Sequence, residues 1–334
     1  MGEVMLQDME NLEAFFETKN PEPLHKRHSD KIRVLLLALH YPLTMSKYFE
    51  RAFRRRDDVE LLTTGPYTGN WIPWKGGMSL PMKYAIPPDV PMSFGVDIGE
   101  VNYEYARAVL PAEWNPDLVI TIDAGIHWKY KPTQGIVAHV ATDPHVLDYE
   151  HQRHHSDKFF NMQACYMHDG DIYLPYAYDP TVHYYDPNIV KDTDAVLGGM
   201  PYAHRVEWVN ALRDRGVSVL FENGPIFDEY REMNNRANIG LNWSSMNDMN
   251  ARVFELAAMR LCPVINDVPD LRQFFVEGKD YLGFRTLDEA IEKVIYAKQH
   301  QSDGPKIAES AYYTVRNHTY DNRVNQILKE CGLI

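Results

Sequence analysis

The chain has 334 residues, 45% hydrophobic and 24% charged, with a formal net charge of −13. That length exceeds one ordinary core and fits two domains, and the acidic balance, −7 over residues 1–176 and −6 over 177–334, disfavours indiscriminate nucleic-acid or anionic-membrane binding. Cys165, Cys262 and Cys331 are odd in number and far apart, without disulfide or zinc spacing, and the N-terminus is acidic (Glu3, Asp8, Glu10, Glu13), unlike a signal peptide; we expect a cytoplasmic protein with no membrane insertion.

Met5, Met9, Leu12, Phe15 and Phe16 recur at helical spacing, so residues 4–18 are expected to form an amphipathic helix, ended by Asn20-Pro21-Glu22-Pro23. Ile32–Leu39 is a continuous β-rich apolar run, as in a fully buried parallel strand, and residues 44–56 follow as helix. The cluster Lys47, Arg51, Arg54, Arg55 and Arg56 reads as a solvated helix end. Residues 65–97, rich in Gly, Pro, Met and Trp, lack clear periodicity, and long loops in compact domains are often functional. Residues 98–112 read as helix. Leu118–Ile122 and Ile136–Ala141 are strands, ending in Asp123-Ala124-Gly125 and Thr142-Asp143-Pro144-His145.

Tyr173–Asp186, rich in Pro and Tyr, is the expected hinge. Beyond it, strands at 195–197, 217–221, 239–242 and 264–265 alternate with helices at 205–215, 228–237 and 250–262, and late helices follow at 287–299 and 306–329. Such alternation implies parallel α/β domains. The expected division is an N-terminal helix (1–25), a first Rossmann-like domain (26–176), a second (177–305) and a C-terminal helix (306–334) returning to the first domain. In open parallel sheets ligands sit at the carboxyl ends of strands. There the first half supplies His40, Asp123, Asp143 and His145. The second supplies Gly198-Gly199, Asn223-Gly224, Asn242 with Ser244, and Asp267.

The most informative stretch is Asn250–Asp267. Ser244, Ser245, Asn247 and Asp248 offer helix caps before it, and Arg252 and Glu255, three apart, share a helix face. A loop, a charged first turn and an apolar helix make an anion site beside a hydroxyl-reading carboxylate, as a nucleotide-sugar requires. The stretch resembles the donor-binding segment of GT-B glycosyltransferases, and most nearly the spore-maturation CgeB-like group, with its Asn-x-Arg-x-Phe-Glu. The resemblance continues through Leu271-Arg272-Gln273-Phe274-Phe275-x-x-Gly278, Ile307-Ala308 and His318-Thr319-Tyr320-x-x-Arg323. It begins upstream at Leu174-Pro175-Tyr176-Ala177-Tyr178-Asp179-Pro180-x-x-His183, so it spans about the last half of the chain. Two positions depart from the pattern: Arg260 stands where glycine is usual, and Asn247 replaces the first carboxylate of Glu-x7-Glu.

The resemblance implies a GT-B fold, two Rossmann-like domains facing across a cleft, with the donor on the second and the acceptor on the first. It implies Arg252 at the diphosphate, Glu255 at the ribose, and the Gly198-Gly199 loop with His204 or Arg205 at the phosphates. Asn223, Gly224, Asn242 and Asn250 complete the expected donor set. The co-substrate is a nucleoside diphosphate-sugar, a UDP-sugar by expectation, with no other cofactor and no metal. The triplets Asp169-Gly170-Asp171, read as a hairpin turn, and Asp192-Thr193-Asp194, a solvated lead-in to a strand, are taken as chance matches to metal motifs. The run His151, His154, His155 lacks a partner of metal-ligand spacing.

For catalysis, Asp143 and His145 read either as base and orienter for an acceptor hydroxyl or as a turn-forming Asp-Pro with a surface histidine. Asp123 is similar. Trp71 and Trp74 read equally as stacking platforms or as lid and core residues. The reading is a metal-independent glycosyltransferase acting from a nucleotide-sugar on a hydroxyl acceptor, a small molecule or glycan ahead of nucleic acid. Its rivals are a nucleotide-sugar epimerase of GT-B architecture and a non-catalytic nucleotide-sugar-binding protein.

Overall fold

The computed structural model describes residues 30–41, 44–72, 78–92, 99–122, 126–244, 246 and 248–334. The helix expected at 4–18, Trp74 and Asp123 lie outside the described residues. In chain order come β1 (Ile32–Leu37), α1 (Ser46–Arg54), β2 (Val59–Gly65), β3 (Trp71–Ile72), β4 (Met78–Ser79), β5 (Val90–Pro91), β6 (Glu100–Val101) and α2 (Tyr103–Val109). They are followed by β7 (Leu118–Ile122), β8 (His127–Trp128), β9 (Ile136–Ala141), α3 (Glu150–His154), β10 (Lys158–Asn161) and β11 (Ile172–Tyr173). After a crossing segment come β12 (Thr193–Gly198), α4 (Ala203–Asp214), β13 (Val219–Glu222), α5 (Phe227–Asn235), β14 (Ala237–Asn242) and α6 (Ala251–Ala258). The chain finishes with β15 (Cys262–Asn266), β16 (Leu282–Phe284), α7 (Leu287–Gln299), α8 (Asp303–Val315) and α9 (Tyr320–Glu330).

The larger strands form two wholly parallel sheets, ordered β11-β10-β9-β7-β1-β2-β5 and β13-β12-β14-β15-β16. Residues of β7 and β9 are buried throughout, as expected for strands covered by helices on both faces. The architecture is therefore α/β with two Rossmann-like sheets. In the second sheet the connections change direction between β12 and β14, and in the first between β1 and β7. Crevices open at such switch points, so the geometry points to the loops after β1, β7, β12 and β14.

Four elements differ from the sequence reading. Val59–Gly65, left unassigned by sequence, is the strand beside β1; its Glu60 is satisfied by Trp114 Nε1 at 2.7 Å and Arg33 Nε at 3.1 Å. Asp169-Gly170 is not a hairpin turn, because the flanking β10 and β11 run parallel. The helix expected over 306–329 is two helices. Tyr178 of the crossing segment bridges to the break, its N–H bonding His318 O and its carbonyl accepting from Tyr320 N, and the Thr319 hydroxyl caps α9. The arginines of α1, exposed at Arg51 and Arg54, are more than a solvated end because they are paired: Arg51 pairs with Asp179, Arg54 with Glu50 and Asp89, and Arg55 with Asp179 and Asp321.

One core runs through both sheets. Phe49 and Phe53 of α1 pack with Val34 and Leu36, with Val253 and Phe254 of α6, and with Tyr320, Val324, Ile327 and Leu328 of α9. The last helix thus closes on α1, with Arg323 donating to the carbonyls of Pro175 and Tyr176. Among the described residues no helix is long and apolar enough to cross a membrane.

The core of the first sheet holds His139, stacked on Phe159 with ring centroids 5.6 Å apart. Burial, then His127, pushes its pKa down to about 3. A histidine whose folded-state pKa lies below its unfolded value near 6.5 stabilises the fold above that value, and the contribution is lost as pH falls toward 3. His139→Phe keeps the stacking and removes the titration. Its melting temperature relative to wild type should therefore be higher at pH 5 than at pH 8, measured by thermal denaturation at both.

Candidate functional site

The second rim is built at the switch point. Gly198 ends β12 where a side chain would collide with Met233 and Tyr230 of α5, both 2.9 Å from the added Cβ. Gly199 has φ +121°, left-handed backbone that favours glycine, and a Cβ there would lie 2.8 Å from Arg252 Nη2 and 3.5 Å from Arg205 Nη1. The backbone at Gly199 is thus pressed against two guanidiniums. Arg205, on α4, is buried and donates to the carbonyls of Trp243 (3.0 and 2.7 Å) and Met200 (3.2 Å). Burial, then the nearby Arg252, pushes its pKa down to about 10.

Arg252 enters from the first turn of α6. Its Nη1 donates to Asn242 Oδ1 at 3.1 Å, and Asn250 Nδ2 reaches the same oxygen at 3.4 Å. Its Nε is buried with no hydrogen-bond partner among the described residues, as is Asn250 Oδ1. Neither Arg205 nor Arg252 forms an ion pair with a carboxylate among the described residues. Two adjacent, poorly compensated cations beside a glycine turn and a helix N-terminus attract a polyanion. Asn223, on the loop after β13, is exposed, and Gly224 beside it has φ +123°.

Glu255, one turn along α6, is nearly buried. It lies beside Tyr230, whose phenol is pushed up by burial and by the Glu255 charge, and its Oε1 is 3.7 Å from His183 Nε2. Arg252 and Glu255 both lie near enough to the Tyr230 phenol to bear on its pKa. His204 packs between Tyr202 and Trp243, and its Nε2 is buried with no hydrogen-bond partner among the described residues.

Asp143 stands on the opposite rim, at the end of β9. Burial holds it above the ordinary carboxylate range; the Thr142 hydroxyl and His145 oppose the shift, and Asp248, from the loop before α6, adds to it. The two rims therefore face each other closely enough for their carboxylates to interact. His145 is oriented by Gln163, whose Nε2 lies 2.9 Å from His145 Nδ1, and not by Asp143. Gln163, Tyr176 and the Thr142 carbonyl form the chain that positions this loop, with His145 close enough to Asp143 to lower its pKa. His40, at the β1 end, is buried with Nε2 against Thr64 O and Nδ1 against Lys47 Nζ, and burial, then Lys47, pushes its pKa down to about 4. Trp71 is 48% exposed.

Asp192 pairs with Arg236 and Asp194 with Lys298. His151 and His155 stack on each other. Among the described residues no group of three or more His, Cys, Asp or Glu is placed to hold a metal ion. Sequence reasoning assigned no role to Tyr230, Gln163 or Tyr48, whose importance comes from packing between distant elements.

No curated protein matches this sequence. Residues 191–329 match the family described as glycosyl transferase-like. Among solved structures, HepE from Anabaena, determined with UDP and glucose, superposes with a TM-score of 0.63 at 9% identity, covering 91% of this chain and 100% of that one. Sucrose-phosphate synthase from Thermosynechococcus elongatus gives 0.58 at 10% identity, covering 90% and 98%. An α-glucosyltransferase in complex with UDP and a 13-mer DNA containing an HMU base gives 0.58 at 10% identity, covering 90% and 99%. At such identities the likeness concerns the fold, and the family match lies on the sheet that carries the cationic crevice. Residues 191–329 are thus similar to the glycosyl transferase-like family, and the chain has the fold of these GT-B glycosyltransferase structures.

Proposed function

We propose that the protein moves a sugar from a UDP-sugar to a hydroxyl acceptor, with the donor on the second rim and the acceptor on the first. The observation that carries this reading is the convergence of Arg205 and Arg252 on the Gly199 backbone. In it, Arg252 and the Gly198-Gly199 loop hold the diphosphate, Arg205 braces the loop and adds charge, and Glu255 takes the ribose hydroxyls. Asn223, Gly224, Asn242 and Asn250 complete the donor pocket. The charge that develops on the departing diphosphate is stabilised by guanidiniums and loop amides in place of a metal. Asp143 accepts or positions the acceptor hydroxyl, with His145 beside it. The CgeB-like assignment, a cytoplasmic location and the division into 1–25, 26–176, 177–305 and 306–334 belong to the same proposal.

A small-molecule or glycan acceptor is preferred to nucleic acid. Arg51, Arg54 and Arg55 are turned into ion pairs within the protein, and Lys131 is paired with Asp157, so these residues do not present a phosphate-binding patch.

Arg252→Ala and Glu255→Gln should each weaken UDP binding by about 10- to 100-fold, the loss of a charged hydrogen bond worth ~1.5–3 kcal/mol, with little change in melting temperature. Calorimetric titration checks this, and wild-type affinity in both variants removes the donor assignment. The same titration in excess chelator should leave UDP affinity unchanged; affinity lost there and restored by manganese would place a metal at the diphosphate. Asp143→Asn should cut sugar transfer by roughly 10²–10⁴-fold while UDP affinity stays intact. The raised pKa of Asp143 should appear as the acid limb of the wild-type rate profile and vanish in the variant. Release of UDP without any acceptor at the rate seen with one would favour the epimerase reading.

A further inference from the structure

The stretch Tyr178-Asp179-Pro180-x-x-His183 has no part in the site just described, yet it ends against it. His183 is 1% exposed. Its Nδ1 accepts the backbone N–H of Asp179 at 3.1 Å, which leaves the ring proton on Nε2. Burial keeps the imidazole neutral by pushing its pKa down. That Nε2 makes no hydrogen bond within the described residues and lies 3.7 Å from Glu255 Oε1. The ring cannot turn away, since it meets Tyr230 edge-on at 5.8 Å and Tyr48 at 5.3 Å. Asp179, which fixes the other end, is itself held by Arg51, Arg55 and Thr181.

We propose that His183 is a positioning residue whose Nε2–H orients the Glu255 carboxylate for the donor ribose, anchoring the donor site to the Asp179 ion pairs between the two sheets. This rests on the ribose role given to Glu255 above. A buried donor just beyond bonding distance of a carboxylate is placed to close on it when that carboxylate turns to meet a ligand. Tyr48 comes from α1 and Tyr230 from α5, so the aim of His183 depends on both sheets being in place.

The test compares UDP with 2′,3′-dideoxy-UDP, which lacks both ribose hydroxyls, on wild type, Glu255→Gln, His183→Phe and His183→Gln, with melting temperatures recorded alongside. Wild type should prefer UDP by about 10- to 100-fold, as for hydrogen bonds to a charged group. Glu255→Gln should abolish the preference. His183→Phe, which keeps a ring but no donor, should lower the preference at least several-fold while affinity for the dideoxy compound holds. His183→Gln, which returns an amide N–H near the Nε2 position, should recover part of it. Loss of the preference in Glu255→Gln with a wild-type preference in both His183 variants overturns the positioning role and leaves the ribose reading intact. A wild-type preference in Glu255→Gln overturns the ribose reading and the inference with it. Equal weakening of both ligands in the His183 variants assigns the residue to packing and overturns the proposal.

Discussion

The fully buried carboxylate of Asp179 is the constraint on which the arrangement of the two sheets depends. It accepts hydrogen bonds from Arg51 Nε (3.0 Å), Arg55 Nη1 (3.1 Å) and both the backbone N–H and hydroxyl of Thr181 (2.9 and 2.8 Å). Burial alone would raise its pKa, but these donors outweigh it and hold the carboxyl below its usual range. Arg55 also forks onto Asp321 of α9. One anion therefore joins α1, the segment crossing between sheets and the returning helix. Arg51 and Arg55 are themselves partly exposed, so removing one of them, with the other and Thr181 still in place, costs less than the ~3–5 kcal/mol of a fully buried pair. Tyr48 and Tyr320, stacked at 5.3 Å beside it, fill the same seam.

The protein uses arginine in two opposite ways. On α1 each guanidinium is neutralised internally, which locks structure and leaves little field for a ligand. At the β12–β14 switch point Arg205 and Arg252 lie close together with no carboxylate ion pair among the described residues, and burial, then Arg252, depresses the pKa of Arg205 to about 10. That repulsion is tolerated because carbonyls of Trp243 and Met200 and the Asn242 amide satisfy the donors without cancelling the charge. A binding site that must hold a diphosphate benefits from this imbalance, since a bound anion relieves it.

The opposite rim is tuned in the other direction. Asp143 is buried near Asp248 and held above the usual range, so its carboxylate is a stronger base than a solvated aspartate. Its loop is positioned by Tyr176 and Gln163, which bond each other and the Thr142 carbonyl and His145. The cations Arg205 and Arg252 on one rim and the buried Asp143 on the other give the two rims chemically distinct surfaces.

Much of this was legible in the sequence because it is local. Apolar β-rich runs such as Leu118–Ile122 and Ile136–Ala141 need no partner information to read as buried parallel strands, and the Gly198-Gly199 turn and the Arg252–Glu255 spacing follow from dihedral freedom and helical periodicity. β2 escaped because Glu60 is satisfied by Arg33 and Trp114, residues distant in the chain. The break at His318 escaped because Tyr178 imposes it from outside the helix. The arginines of α1 looked solvated because their acids lie up to 266 residues away. By itself the sequence determined the α/β alternation, the strand ends and the helical spacing of Arg252 and Glu255, all set by short-range patterning. Only the tertiary structure decided which charges are neutralised, where Asp143 and His145 point, and what His183 faces, because those depend on groups that meet only when the two sheets close on each other.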